Sequence, residues 1–259
     1  MPFRQLGSLR IYQFESMASP HLVHAIFSRH GGVSPDPWRS LNVGGTVGDD
    51  QLRVSENRRR AFLALERDPD SIYDLWQIHS ARYVVAEEPR NGKAYRRGDI
   101  LISDSSDVTL FMRFADCVPI MLHDRCKGAV GMAHAGWLGT VRGTAQAAVR
   151  AMVETFGSKP QDIVAGLGPS IGPGHYPVGP DVVAKVEKAY GSRAERYLSR
   201  VGEKVHFDLW SANRDQLAEE GIENIELSGL CTACHNEDWY SHRAEGGTTG
   251  RFGALIAVC

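Results

Sequence analysis

The chain has 259 residues, 42% hydrophobic and 23% charged, with a formal net charge of −2. Those proportions suit a globular protein with a substantial core, and the near-neutral balance gives no electrostatic reason to expect nucleic acid or an anionic membrane as partner. Residues 1–22 hold no continuous apolar stretch of the kind a secretory signal needs, and no window reaches the length of a membrane span, so the expected setting is cytoplasmic.

Residues 28–50 are dense in Gly, Pro, Ser, Asn and Asp and read as one long loop, a length that inside a compact domain is often functional. Residues 50–66 read as a helix with Val54, Phe62 and Leu65 among charges, and residues 72–86 as strand-like. A β-rich block follows, with strands expected over residues 100–102, 108–115, 118–122 and 128–133. Residues 140–156 read as a helix with Gly157 just past its end, and residues 163–167 as a strand. Helices are expected over residues 181–190 and 209–220, the second capped by Asp208, and a strand over residues 254–258. Strands and helices mix without strict βαβ alternation, which favours an α+β sandwich over a doubly wound sheet. The basic runs Arg58-Arg59-Arg60 and Arg96-Arg97 are short and read as solvated faces.

Three segments bear on chemistry: Gln77-Ile78-His79-Ser80, Ala115-Asp116-Cys117-Val118-Pro119 and Ala133-His134-Ala135-Gly136-Trp137. In each, a ligand-type side chain is expected at the end of an apolar strand, where it is held rigidly yet stays reachable. Singly, each has a plain alternative: a hydrogen-bonded structural histidine, or a cysteine packed as a small hydrophobe. The five cysteines (Cys117, Cys126, Cys231, Cys234 and Cys259) are an odd number, and a reducing compartment disfavours pairing them as disulfides. Cys231-Thr232-Ala233-Cys234-His235 has the form of a c-type haem attachment site, but that chemistry normally requires export. The same segment could instead hold a structural metal.

A longer set of motifs joins these pieces. Arg29-His30-Gly31-Gly32-Val33-Ser34, Ser40-Leu41-Asn42-Val43-Gly44, Val47-Gly48-Asp49-Asp50 and Glu56-Asn57-Arg58 precede the three segments. Gly168-Pro169-Ser170-Ile171-Gly172-Pro173, Asp208-Leu209-Trp210-Ser211-Ala212-Asn213-Arg214, Tyr240-Ser241-His242-Arg243 and Thr249-Gly250-Arg251 follow them. In this order they resemble the YfiH/YlmD-like family, also described as laccase-domain or multicopper polyphenol oxidase proteins. The resemblance spans nearly the whole chain. It implies one catalytic domain over residues 1–259 with a layered α/β/β/α fold, akin to the catalytic domain of cytotoxic necrotizing factor.

The resemblance further implies that His79, Cys117 and His134 are zinc ligands. The implied activities are phosphorolysis of adenosine, inosine or methylthioadenosine and hydrolytic deamination of adenosine. A His₂Cys set leaves zinc a free position, and zinc brings the pKa of bound water from ~15.7 to near ~7. Asp116 is a candidate proton shuttle, or a structural residue on the opposite face of the strand from Cys117. Arg29 with the Gly31 and Gly32 amides is a candidate phosphate site, and Asn42 a candidate purine or hydroxyl contact. Two positions depart from the family pattern: Leu138 stands where an arginine is usual, with Arg142 four positions later, and Gly174-His175 stand where two cysteines are common.

Three other readings stay open at this point. A copper-dependent phenol oxidase would need many histidines, usually as His-x-His pairs, and the sequence has none. A metal-free cysteine hydrolase would use Cys117 as nucleophile and His134 as base. A non-catalytic nucleoside or partner binder has no motif of its own. The preferred nucleoside and the oligomeric state are not legible.

Overall fold

The computed structural model describes residues 2–259. Strands β1 (Phe3–Leu6), β2 (Leu9–Tyr12) and β3 (Leu22–Phe27) open the chain, followed by an irregular stretch up to Asp50. The Asp50 carboxylate accepts from the Leu52 and Arg53 amides and so caps helix α1 (Gln51–Leu63). Strands β4 (Ile72–Tyr73), β5 (Tyr83–Val85), β6 (Ile100–Ser103), β7 (Thr109–Phe114), β8 (Val118–Asp124) and β9 (Ala129–Ala135) form the middle. Helices α2 (Trp137–Val141) and α3 (Thr144–Phe156) then lead to β10 (Ile163–Leu167), β11 (Pro177–Val178) and α4 (Pro180–Tyr190). The chain closes through β12 (Leu198–Val201), β13 (Lys204–Phe207), α5 (Leu209–Glu219), β14 (Asn224–Leu227) and β15 (Phe252–Val258).

Two six-stranded sheets dominate, ordered β1-β2-β3-β15-β7-β4 and β14-β10-β8-β9-β6-β5, with a small sheet β11-β13-β12 beside them. Both large sheets are mixed, because β4 pairs parallel to β7 while β5 and β14 pair parallel to β6 and β10. Alternation along each strand sends side chains to opposite faces, and three apolar clusters record the result. Phe14, just past β2, and Ile26, Met112 and Phe252 of the first sheet meet Leu101, Met121 and Met132 of the second. Phe27, Phe111 and Leu255 on the outer face of the first sheet pack under Ala61 and Phe62 of α1. Ile100, Ile120 and Ile163 on the outer face of the second pack under Val149 and Met152 of α3 and Leu217 of α5. The layers therefore run helix, sheet, sheet, helices, as expected.

Two readings are corrected. Residues 72–86 are not one strand: β4 joins the first sheet and β5 the second, so residues 74–82 cross between sheets. The amides of Ile78, His79 and Ser80 in that crossing turn to the Asp99 carboxylate instead of a ladder. The helix over residues 140–156 is broken in two, because Gly143 takes φ +75°, outside the helical region. Gly157 does end α3, its amide donating to Val153. The N-terminal strands, β11 to β13, and β14 went unassigned from sequence. Among the described residues no helix is long and apolar enough to cross a membrane.

Candidate metal and active site

Strand register brings the ligand-type residues together. Strands β8 and β9 pair antiparallel with Val118 opposite Ala135 and Pro119 opposite His134. Residues two apart share a face, so Cys117 and His134 lie on the same side and Gly136 falls across from Cys117. A Cβ at Gly136 would come within 2.7 Å of the Cys117 Sγ and 3.1 Å of His79, so only glycine leaves room. His79 arrives from the crossing segment, where it holds φ +56°. The ligand atoms of His79, Cys117 and His134 all lie within 4.8 Å of one another.

Asp99 organises this cluster, and sequence reading did not single it out. It precedes β6, whose Ile100 pairs with Ala133, so register sets it beside His134. The His134 amide donates to the Asp99 carbonyl, and His134 Nδ1 lies 2.9 Å from Asp99 Oδ1. The same fully buried carboxylate accepts from the amides of Ile78, His79 and Ser80 and from the Ser80 hydroxyl. Converging amides of this kind form an anion nest, and here they hold His79 in its left-handed conformation. With Nδ1 engaged by Asp99, Nε2 of His134 is left as the ligand atom. Burial raises the Asp99 carboxyl, but the bond and charge of His134 and the Ser80 bonds outweigh it, leaving it at about 2.

Cys117 and His134 polarise each other. Burial pushes the Cys117 thiol up, yet the nearby His134 and His79 imidazoles pull it below its ordinary value. Burial likewise opposes the His134 imidazolium, but Cys117 and Asp99 raise it above the usual histidine range. Such a set readily presents a thiolate, the form in which cysteine binds metal or attacks a substrate.

The three residues open onto a cavity of about 610 Å³, within the range of small-molecule sites. Arg58, Arg113 and Arg251 line it with Gln77 and His242, and the aromatic rings of Trp76 and Tyr95 are exposed on the same lining. Asp74, fully buried, pairs with Arg58, Arg90 and Arg113, so three guanidinium groups share one carboxylate and the surroundings stay positive. Arg58 therefore corrects the reading of residues 58–60 as a solvated face: its Nε donates to the Val43 carbonyl.

Comparison with known proteins is decisive for the family. Residues 23–259 match the family described as multi-copper polyphenol oxidoreductase laccase. The chain belongs to that family. A Deinococcus radiodurans relative named purine nucleoside phosphorylase is 38% identical over 93% of this chain and 92% of its own length. The Escherichia coli purine nucleoside phosphorylase YfiH is 34% identical over 88% of this chain and 90% of its own. YlmD from Geobacillus stearothermophilus superposes with a TM-score of 0.92 at 33% identity, covering 99% of this chain and 98% of that one. The Bacillus licheniformis hypothetical protein YfiH gives 0.91 at 31% identity, covering 100% and 99%.

Not every residue that the family resemblance nominated reaches the cavity: Arg29, Gly31, Gly32 and Asn42 are not on its lining. Asn42 is fully buried; its Oδ1 accepts from the amides of Gly44 and Arg251, both on the cavity lining. Arg29 donates to the carbonyls of Arg39 and Asn236 and pairs with Glu245. Glu245 in turn accepts from the Ser241 amide and the Thr249 hydroxyl, which braces the turn carrying His242. Gly31 and Gly32 sit against residues 8–9 and 40–41, where a Cβ would meet backbone oxygens at 2.4 and 2.1 Å, and the Gly32 amide donates to the Ser40 hydroxyl. Asp116 uses its carboxylate on the Thr232 hydroxyl and the Arg243 amide, which supports the structural alternative over a proton shuttle. These side chains brace the walls of the site. Arg142, four positions after Leu138, donates to the His79 carbonyl and holds the crossing segment from outside.

Proposed function

We propose that the chain is a zinc-dependent purine nucleoside enzyme of the cytoplasm. It cleaves adenosine, inosine or methylthioadenosine with phosphate, and it deaminates adenosine hydrolytically. One observation carries this reading: a His₂Cys donor set and three arginines face a single cavity of nucleoside size. Relatives named purine nucleoside phosphorylase along nearly the full chain support it.

The donor set suits zinc, since thiolate and imidazole match its borderline softness and His134 has its tautomer fixed by Asp99. Zinc bound by His79, Cys117 and His134 would keep one open position and supply Lewis acidity and an acidified water at neutral pH. Arg58 and Arg251, which keep free guanidinium nitrogens, hold the phosphate, their planar forks matching its oxygens, while Arg113 is spent on Asp74, Gln77 and the Leu75 carbonyl. Trp76 offers a ring face on which a purine stacks, while the Tyr95 ring carries the Arg90 guanidinium over one face. Phosphorolysis breaks the glycosidic C–N bond, forms a C1′–O bond to phosphate and leaves a proton on the departing purine. His242, on the cavity lining, is positioned to hydrogen-bond that base and deliver the proton.

Adenosine and phosphate incubated with the zinc-loaded protein should yield adenine in a phosphate-dependent manner and inosine without phosphate. No product above a Cys117→Ala control would overturn the proposal. A second reading has its own observation: Asp99, His134 and Cys117 line up as a cysteine-hydrolase triad. Covalent labelling of Cys117 that persists under saturating zinc would favour it. Stoichiometric copper in protein purified without added copper would instead favour oxidation, the chemistry that the family description names.

A further inference from the structure

We infer that His175, Cys231 and Cys234 form a second metal site, separate from the His79 cluster, for a thiophilic cation of the zinc type. Their ligand atoms also lie within 4.8 Å of one another. Nδ1 of His175 is 3.4 Å from Cys234 Sγ and 3.8 Å from Cys231 Sγ, close to the S···N edge of about 3.6 Å that tetrahedral zinc imposes. Cys231 and Cys234 are separated by two residues, the bite common to structural zinc turns, and His175 reaches them from a turn 56 positions before Cys231.

The surroundings fit a bound thiolate. The Gly172 amide donates to Cys231 Sγ at 3.2 Å, and a Cβ at Gly172 would press on that sulfur at 3.2 Å. Backbone bonds from Ser170 to Leu230 and from Thr232 to Ser170 fix the buried Cys231, while Cys234 and His175 are exposed and accessible to a cation. Three protein donors leave the fourth position to solvent or to an incoming group. The site also connects to the cavity wall. Thr232, next to Cys231, donates to Asp116, and the Ile171 amide donates to the Asp116 carbonyl. A cation here would clamp residues 171–175 to residues 231–234 behind the strand end that carries Cys117.

Zinc itself is the probe, titrated into the full-length reduced protein against a chromogenic chelator, with cobalt as a spectroscopic substitute. Wild type should bind two equivalents; Cys117→Ala, Cys234→Ser and His175→Ala should bind one each; Cys117→Ala/Cys234→Ser should bind none. The Cys117→Ala protein should still show thiolate-to-cobalt charge transfer and gain thermal stability with zinc, and the double variant should do neither. Cys234 and His175 are exposed, so replacing them leaves the core intact. Cys234→Ser or His175→Ala binding as much zinc as wild type would overturn the site. So would a Cys231–Cys234 disulfide that resists reductant in protein prepared with zinc. Since Cys234→Ser keeps the His79 cluster, loss of this site leaves the nucleoside reading standing, and the converse holds for Cys117→Ala.

Discussion

The loop over residues 28–50 and the crossing over residues 74–82 spend their polar groups in opposite ways. In the loop, Ser34, Asn42 and Asp49 bond to one another, to Asn57 of α1 and to nearby backbone, all of them buried. In the crossing, Asp99 takes up the backbone amides and leaves the His79 side chain facing the cavity. A polar motif acts on substrate only where its hydrogen bonds do not close on the protein itself. Substitutions in the crossing and its partners should therefore remove metal and turnover without unfolding, and substitutions in the loop should do the reverse.

The largest effect belongs to Cys117→Ala. Losing one of the three proposed ligands should cut kcat/KM by about a thousandfold, roughly 4 kcal/mol of transition-state stabilisation, with circular dichroism unchanged. An unfolded variant would place Cys117 among the core residues instead. Next comes Asn42→Ala, which orphans the Gly44 and Arg251 amides and empties a buried site. Urea unfolding should report a loss of about 2–4 kcal/mol, with activity surviving in the folded fraction. A stable but inactive Asn42→Ala protein would return Asn42 to the substrate and break the contrast.

Asp99→Asn tests the other side. The amide keeps the carboxylate's shape but turns a donor toward the convergent N–H groups and withdraws charge from His134. Zinc affinity at the His79 cluster should fall about 10–100-fold, read by chelator competition. Unchanged affinity would mean that the ligands hold their geometry without the carboxylate.

Asp99 also marks where sequence reading stops. The helix starts at Asp50 and Asp208 were legible because caps are local, and the middle strands because their apolar runs are. Cys117 and His134 were legible beside strand ends, whereas His79 lies in the crossing and not at a strand end; the family resemblance joined the three as candidate ligands. Asp99 lies 35 positions from His134, and only the β6–β9 register makes them neighbours. Gly136 is likewise indistinguishable from a turn glycine until β8 and β9 are paired. Arg58 looked like part of a basic surface run because nothing local reveals the buried Asp74 beside it. Asn42 was misplaced for the opposite reason: an amide in a Gly-rich loop looks available until its hydrogen bonds are traced.

The contrast between cavity and packed interior extends to two histidines. Cys117 and Asp99 raise His134, whereas burial lowers His24 from 6.5 to about 4, with His123 lowering it further and Glu226 opposing. The Phe14 amide donates to His24 Nε2, which requires an unprotonated nitrogen there. Above pH 6.5 both the folded and unfolded forms of His24 are neutral, so its contribution to stability is fully present. As pH falls from 6.5 toward 4 the unfolded chain binds a proton that the folded chain refuses, and stability is lost across that window. Between pH 7 and pH 5 the loss should be on the order of 1–2 kcal/mol, measured by urea denaturation. His24→Gln keeps an acceptor for Phe14 without a titrating group and should flatten that part of the profile. An unchanged slope in His24→Gln would show that the acid sensitivity arises elsewhere, and would remove His24 as the interior counterpart of His134.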